Sequence, residues 1–353
     1  MITLIIPTKN RVLFLRRLLR YLADNQYRHF LLIGDASDDE HAAQIKDTVG
    51  DFKGRLKITY YSCLGLSISA TVQRLNQLVT TPYVTLIADD DFLVPRGLEK
   101  CLNFLESHKD YSAAHGLGAL TTLKESGPCG DIKEVGAYRL GAVEGETGPQ
   151  RLTEFMNNYF VSLFSLHRTP IWKIMWEEAG AIEDVAFAAE LLPCSLSAVK
   201  GKIKQLDCFY LVRQGHDRRY LLPKPHEWIT KPEWFSSYEV YHHCLAEELA
   251  KDKKISIEKA GSIVKEAFGN YLAKGLANKY QGRYGKKDLR NYFKTTFKEI
   301  PILNGGLSVA WRKAIGMRDY YFPSNRISLA ALMSPQSVYN KDFMPIYNAL
   351  TAK

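Results

Sequence analysis

Three aspartates in a row, Asp89, Asp90 and Asp91, follow the apolar run "YVTLIA" at residues 83 to 88. Adjacent carboxylates repel, and such a cluster at a strand end is costly unless positive charge sits on it. A hard divalent cation, Mn²⁺ or Mg²⁺, suits the place, because it takes carboxylate oxygens together with substrate phosphates. The plainer alternative is a solvated acidic turn whose charge favours the helix that follows. Other groups able to do chemistry lie far off in sequence. "TKNR" at residues 8 to 11 and "DASDD" at residues 35 to 39 each close an apolar run. Glu183-Asp184 stands just before a helical pattern whose Val185, Ala188, Ala189 and Leu192 share one face. "LVRQGHDRR" at residues 211 to 219 gathers Arg213, His216, Arg218 and Arg219.

Elements that would position these groups alternate along the first half of the chain. Residues 2 to 6 form an apolar run ended by Pro7, which reads as a buried strand. Phe14, Leu15, Leu18, Leu19 and Leu22 then recur at helical spacing, with Arg16, Arg17 and Arg20 on the other face. "FLLIGDASDDE" at residues 30 to 40 reads as a second strand ending in acid and turn residues, and strands follow at 57 to 62 and 83 to 88, with a helix predicted over 68 to 81. Pro95 opens another helix at a favoured position, its Leu98, Cys101, Leu102 and Leu105 facing inward. This alternation predicts an α/β fold with a mostly parallel sheet flanked by helices. Open sheets of that kind bind ligands beyond the carboxyl ends of their strands, where the polar clusters would meet. Residues 111 to 150 are rich in Gly and turns and predict one strand near Ser112 to Leu120 and a loop. From about residue 233 the pattern is helical, and three prolines between residues 221 and 232 mark a boundary near 222.

The bulk numbers fit an ordinary globular protein. With 353 residues, 46% hydrophobic and 24% charged, the chain has room for two domains. No apolar run approaches the roughly 18 residues that span a bilayer. The N-terminus lacks a basic segment followed by a cleavage site, and a cytoplasmic location is expected. The six cysteines show neither C-x-x-C nor zinc spacing and read as reduced thiols. The net charge of +9 is uneven: residues 251 to 353 hold 19 Lys+Arg against 7 Asp+Glu. Such asymmetry points to an anionic partner for the C-terminal part.

"TPYVTLIADDDFLVP" at residues 81 to 95 resembles the metal-binding stretch of GT-A glycosyltransferases, the large family-2 group that uses nucleotide-sugars. It is most similar to a bacterial branch whose strand reads T-P-Y-V followed by A-D-D-D-F. Other pieces fall in the family's order over roughly residues 2 to 220. "LIIPTKNR" resembles the opening strand and nucleotide-contacting turn, which implies donor contacts from Pro7, Thr8, Asn10 and Arg11. "LLIGDASDDE" resembles the second strand, and Asp35 takes the position that contacts the uracil or ribose. There the family's D-D-G-S-x-D is altered, with Gly34 for the first acid and Ala36 for the glycine. Aligned back from Pro95, the usual D-x-D-D reads Ala88-Asp89-Asp90-Asp91, so its first acid is absent. Asp90 or Asp91 is then the implied metal ligand, with Asp89 nearer the ribose; Asp89 and Asp91 as a shifted D-x-D is the other assignment.

The resemblance also implies a catalytic base in the Glu183-Asp184 pair, Asp184 first by alignment. Inversion needs one, because the acceptor hydroxyl must lose its proton as it attacks the anomeric carbon. An acidic first turn that merely stabilises its helix is the alternative. His216 is implied as a completing metal ligand, and Arg213, Arg218 and Arg219 as a clamp on the diphosphate. "SLFSLHRTPIWKIMW" at residues 162 to 176 resembles the acceptor side, although packing by Phe164, Trp172 and Trp176 is its simpler role.

The expected whole is a GT-A domain over residues 1 to 222 and a basic, mainly helical domain over 223 to 353. The expected activity is metal-dependent, inverting transfer of a sugar from a UDP- or GDP-sugar to a hydroxyl of a growing glycan or glycolipid. Between Lys274 and Lys298, basic residues interleave with Tyr280, Tyr284 and Tyr292, and only Asp288 is acidic. A solvated helical face, contact with an anionic membrane, and binding to nucleic acid all suit that stretch. The last would make the acceptor a modified base. A nucleotide- or polysaccharide-binding module without activity is the reading outside enzymes.

Overall fold

A computed structural model describes residues 1–217, 223–252, 254–298 and 326–352, with side chains in the long helix described as far as residue 277. The first strand, β1 (Ile2–Thr8), is buried along its whole length and leads into α1 (Val12–Asp24). Next come β2 (Phe30–Asp35), α2 (Asp39–Asp51), β3 (Lys57–Ser62), α3 (Ile68–Asn76) and β4 (Tyr83–Leu86). Local chemistry sets the helix starts: Asp38 accepts a hydrogen bond from the His41 amide, and Ser67 accepts one from that of Ala70. Pro95 opens α4 (Pro95–Ser107) just after the short β5 (Phe92–Leu93). Then follow β6 (Tyr111–Leu123), β7 (Ile132–Tyr138), α5 (Gly148–Asn157), β8 (Leu166–Arg168), α6 (Thr169–Glu177), α7 (Leu192–Lys200) and β9 (Lys202–Gly215). The stretch read as one strand and a loop thus holds two paired strands and a helix.

The sheet runs β3-β2-β1-β4-β8-β6-β9-β5, with β7 on β6. Parallel pairing of β3, β2, β1 and β4 forms one half, and antiparallel pairs at β8, β7 and β5 make the sheet mixed. The chain leaves β1 toward β2 on one side and returns from β3 to β4 on the other. The carboxyl ends of β1 and β4 therefore border the crevice where such sheets bind ligands. Gly34 fits this half: a Cβ there would meet the Leu75 and Thr71 side chains of α3 at 2.7 Å, so an acid at that position would force those side chains to shift.

The helical part contains α8 (Pro225–Trp228), α9 (Trp234–Ala250), α10 (Ile257–Lys298), α11 (Leu329–Met333) and α12 (Asn340–Thr351). Its buried side chains are continuous with those of the sheet. One cluster of buried side chains runs from Ile2 through Phe187, Trp228, Tyr241 and Phe268 to Phe343 and Leu350. The C-terminal end returns to the sheet, where Tyr339 and Phe343 meet Phe209 and the Tyr339 hydroxyl donates to Asp207 at 2.6 Å. All six cysteines are free thiols. Among the described residues, no helix is long and apolar enough to cross a membrane.

Candidate active site

A cleft of about 490 Å³ opens at the ends of β1 and β4. Pro7, Thr8 and Arg11 line it on the β1 side, Ser67 and Thr71 where α3 begins, and Asp89 and Asp90 beyond β4. Phe164, Trp176, Val185, Glu190 and Arg213 line the remainder.

The three aspartates are buried, at 2%, 3% and 0% exposure, and the protein supplies their countercharge. Arg11 NH1 donates to Asp89 Oδ1 at 3.1 Å and to Asp90 Oδ2 at 2.8 Å. Arg213 Nε donates to Asp91 Oδ2 at 2.8 Å, and His216 Nε2 lies 2.7 Å from Asp90 Oδ2. Behind them the buried Arg17 donates to the Asp90 carbonyl at 2.6 Å, with its guanidinium over the Phe92 ring. Burial pulls Arg17 down to about 10.

The carboxylates differ sharply in what they leave open. Asp91 has both oxygens engaged, Oδ1 accepting from the Gln214 amide at 2.9 Å. Asp89 accepts from the Thr8 hydroxyl at 2.7 Å and from Arg11. Burial, aided by the charge of Asp90, lifts Asp89 to about 7, and burial lifts Asp91 to about 6 against the pull of Arg213. For Asp90, burial is outweighed by His216, Arg11 and Arg213, and its pKa falls below the usual carboxylate range. Asp90 Oδ1 is sealed from solvent and has no partner among the described residues. A buried acceptor left unmade costs about 1–3 kcal/mol and calls for an explanation.

A cation beside Asp90 supplies one. Among the described residues no three His, Cys, Asp or Glu side chains gather to hold a metal by themselves. Mg²⁺-type sites need only one or two carboxylates when substrate phosphates and water complete the shell. Asp90 and His216 fit that kind of site, whereas Asp91, closed on both oxygens, does not.

The other expected donor contacts are divided. Pro7, Thr8 and Arg11 line the cleft. Asn10 adopts a left-handed backbone at φ 55° and pairs with Asp38 at 2.9 Å, beside a second hollow shared with Arg11 and His216. Asp35 is buried under the cleft: its oxygens accept from the Ser37 amide at 2.9 Å and the Tyr60 hydroxyl at 2.8 Å, and Ala36 is the residue that reaches the lining. Arg213 lies over the Phe164 ring and donates to the Tyr138 hydroxyl at 3.0 Å, and its ion pair with Asp91 keeps it charged. Arg218 and Arg219 lie outside the described residues. So do the basic side chains from Lys279 to Lys298; Lys274 donates to the Asn157 carbonyl at 2.7 Å.

The two expected base candidates do not face the cleft. Glu183 is exposed. Asp184 is 2% exposed and caps a helix: Oδ1 accepts from the amides of Ala186 and Phe187 at 2.9 and 3.1 Å, and Oδ2 from the Trp228 indole at 2.9 Å. Besides Asp89 and Asp90, the carboxylate that reaches the cleft is Glu190, six residues past Asp184. It sits in a π-helical stretch, Phe187–Leu191, where the Leu192 amide bonds back to the Phe187 carbonyl. Pro193 accounts for the widening: it has no N–H for the Ala189 carbonyl, and its ring would crowd that oxygen in a regular helix. Sequence reading passed Glu190 over, although it is the one charged residue between Asp184 and Lys200.

The Glycosyl transferase family 2 model matches residues 3–119. The crystal structure of S. aureus TarS 1-349 in complex with UDP-GlcNAc is similar to this chain at a TM-score of 0.51 and 13% identity, covering 82% of this chain and 77% of that one. The same protein in complex with UDP gives 0.50 and 15%, with coverage of 82% and 77%. No curated protein matched the sequence. The N-terminal third thus matches the Glycosyl transferase family 2 pattern, and the chain has the α/β GT-A fold of these structures.

Proposed function

We propose that the cleft binds a nucleoside-diphosphate sugar, UDP- or GDP-linked, with Mn²⁺ or Mg²⁺, and that the protein transfers the sugar with inversion to a hydroxyl of a growing glycan or glycolipid. The observation that carries this is Asp90 Oδ1, a buried carboxylate oxygen without a partner among the described residues, on the side chain that pairs with His216 and Arg11. The similarity to TarS, which holds UDP-GlcNAc and UDP in its crystals, supports the donor class.

Asp90 and His216 would hold the ion. When bound, it offsets the negative charge that grows on the diphosphate as the sugar leaves. The chain's own residues do the rest. Thr8 and Arg11 fix Asp89 at the end of β1. Arg213 is held rigid by Asp91 and Tyr138, and its NH2 has no protein partner among the described residues, so it has donors left for a diphosphate oxygen. A preoriented guanidinium in a dry cleft stabilises developing charge without reorganising. Phe164 and Trp176 exclude water at the other end.

Titration calorimetry with a panel of UDP- and GDP-sugars tests the reading. Binding is expected with Mn²⁺, with at least a tenfold loss in EDTA and in Asp90→Asn. Undiminished binding in EDTA would remove the metal from the reading. Failure of every nucleotide-sugar to bind would end the reading.

A further inference from the structure

We infer that Glu190, not Asp184, is the general base that takes the acceptor's proton; this rests on the transferase reading above. A base needs one oxygen held for orientation and one open toward the acceptor. Glu190 has both. Its Oε1 accepts from the Tyr159 hydroxyl at 2.8 Å, and its Oε2 has no partner among the described residues and is not sealed from solvent. Asp184 lacks the open oxygen, since three N–H groups close both of its oxygens. The tether is rigid as well: Tyr159 packs against Phe155 and Tyr271 at ring distances of 5.2 and 5.1 Å.

The step balances without any further reagent. The acceptor O–H gives its proton to Glu190 Oε2. The freed oxygen pair forms the bond to the anomeric carbon. The bond from that carbon to the diphosphate breaks, and its electron pair leaves on the nucleoside diphosphate.

The surroundings bear on the working pH. Burial raises the Glu190 carboxyl, while the Tyr159 hydrogen bond and the charge of Arg213 pull it back, and it stays above the usual carboxylate range. Tyr138 and Cys194 also feel its charge, and Tyr271 stands behind Tyr159. Removing the Tyr159 hydroxyl therefore moves the Glu190 pKa upward.

The test measures, for each protein, donor affinity by calorimetry and release of nucleoside diphosphate from a bound UDP- or GDP-sugar, with water as acceptor. Glu190→Gln is expected to lower release by roughly 10²–10⁴-fold, the usual share of a general base, with donor affinity within about threefold of wild type. Tyr159→Phe keeps the carboxylate and is expected to shift the acid limb of the pH–rate profile to higher pH. Glu190→Gln turning over at the wild-type rate overturns the inference, as does an acid limb that stays in place in Tyr159→Phe. Loss of donor binding in Glu190→Gln overturns it too, by making Glu190 a donor contact. If the wild type binds no nucleotide-sugar, or binds one and never releases nucleoside diphosphate, the transferase reading itself fails and the base with it.

Discussion

Asp184→Asn separates a cap from a base. The substitution keeps size and shape but turns one oxygen into an NH₂. If the amide oxygen stays on the Ala186 and Phe187 amides, the NH₂ faces the Trp228 indole N–H, donor against donor. Trp228 is 2% exposed, so no water can replace the lost acceptor. A buried donor left unmade costs about 1–3 kcal/mol. Losing a negative charge at the helix start adds about 0.3–1 kcal/mol. The opposite amide orientation strands two backbone N–H groups and is worse. The expected loss is therefore roughly 1–4 kcal/mol, against a total stability of about 5–15 kcal/mol for a typical domain. Urea unfolding followed by far-ultraviolet circular dichroism measures it, beside turnover per folded molecule. Glu190→Gln is the control, because the amide oxygen still accepts from Tyr159 and little stability should be lost. An Asp184→Asn protein as stable as wild type but slower by 100-fold or more would refute the reasoning and return the base to Asp184.

Two further outcomes follow from buried groups. Pro193→Ala restores a backbone donor for the Ala189 carbonyl and lets the helix regularise; shedding the extra π-helical residue turns Glu190 by about 100° about the axis, and turnover is expected to fall at least tenfold with stability kept or raised, so an unchanged rate would show that the bulge does not aim Glu190. Burial holds the imidazoles of His115 and His167 neutral, down to about 3 and about 4, the second ring also bonding the Ser162 carbonyl at 2.9 Å. Below about pH 6.5 the unfolded chain binds protons that these folded rings refuse, so their stabilisation is complete above that pH and is lost as the pH falls toward about 4. His167→Gln should make the unfolding free energy less steep between pH 6.5 and 4.5, by up to roughly 1.4 kcal/mol per pH unit; an unaltered slope would mean that the ring titrates normally in the fold.

Apolar periodicity made the first half of the chain legible. The run at residues 2 to 6 is β1, the Leu15, Leu18, Leu19 and Leu22 stripe is the buried face of α1, and Pro95 opens α4. These signals are local and survive any tertiary arrangement. Groups whose role depends on a distant partner were not legible. Asp184 reads as an acid before a helix in either role, and only the Trp228 indole, 44 residues on, shows both oxygens taken. Glu190 sits on what periodicity reads as a plain apolar helix, and the π stretch that re-aims it follows from one proline. The packing of Phe343 on Phe209 was not legible either, because the two lie far apart in sequence.

The row of three aspartates shows the same limit most sharply. In sequence they are equivalent. A turn closed by the Asp91 amide on the Ala88 carbonyl, at 3.1 Å, sends the three side chains in different directions. Asp89 meets Thr8 and binds the two central strands at their ends. Asp91 points toward β9 and fixes Arg213. Of the three, Asp90, between them, keeps an oxygen that nothing among the described residues satisfies. The positive charge the cluster demands is thus largely internal, and this lets three buried acids persist without donor. Removing one partner of such a buried pair costs about 3–5 kcal/mol, far more than a surface ion pair contributes. The flanking acids are therefore scaffold as much as site: replacing Asp91 frees the Arg213 it holds, whereas replacing Asp90 by Asn leaves that pair and the Asp89 contacts in place and weakens only the charge that Arg11 and His216 share with Asp90.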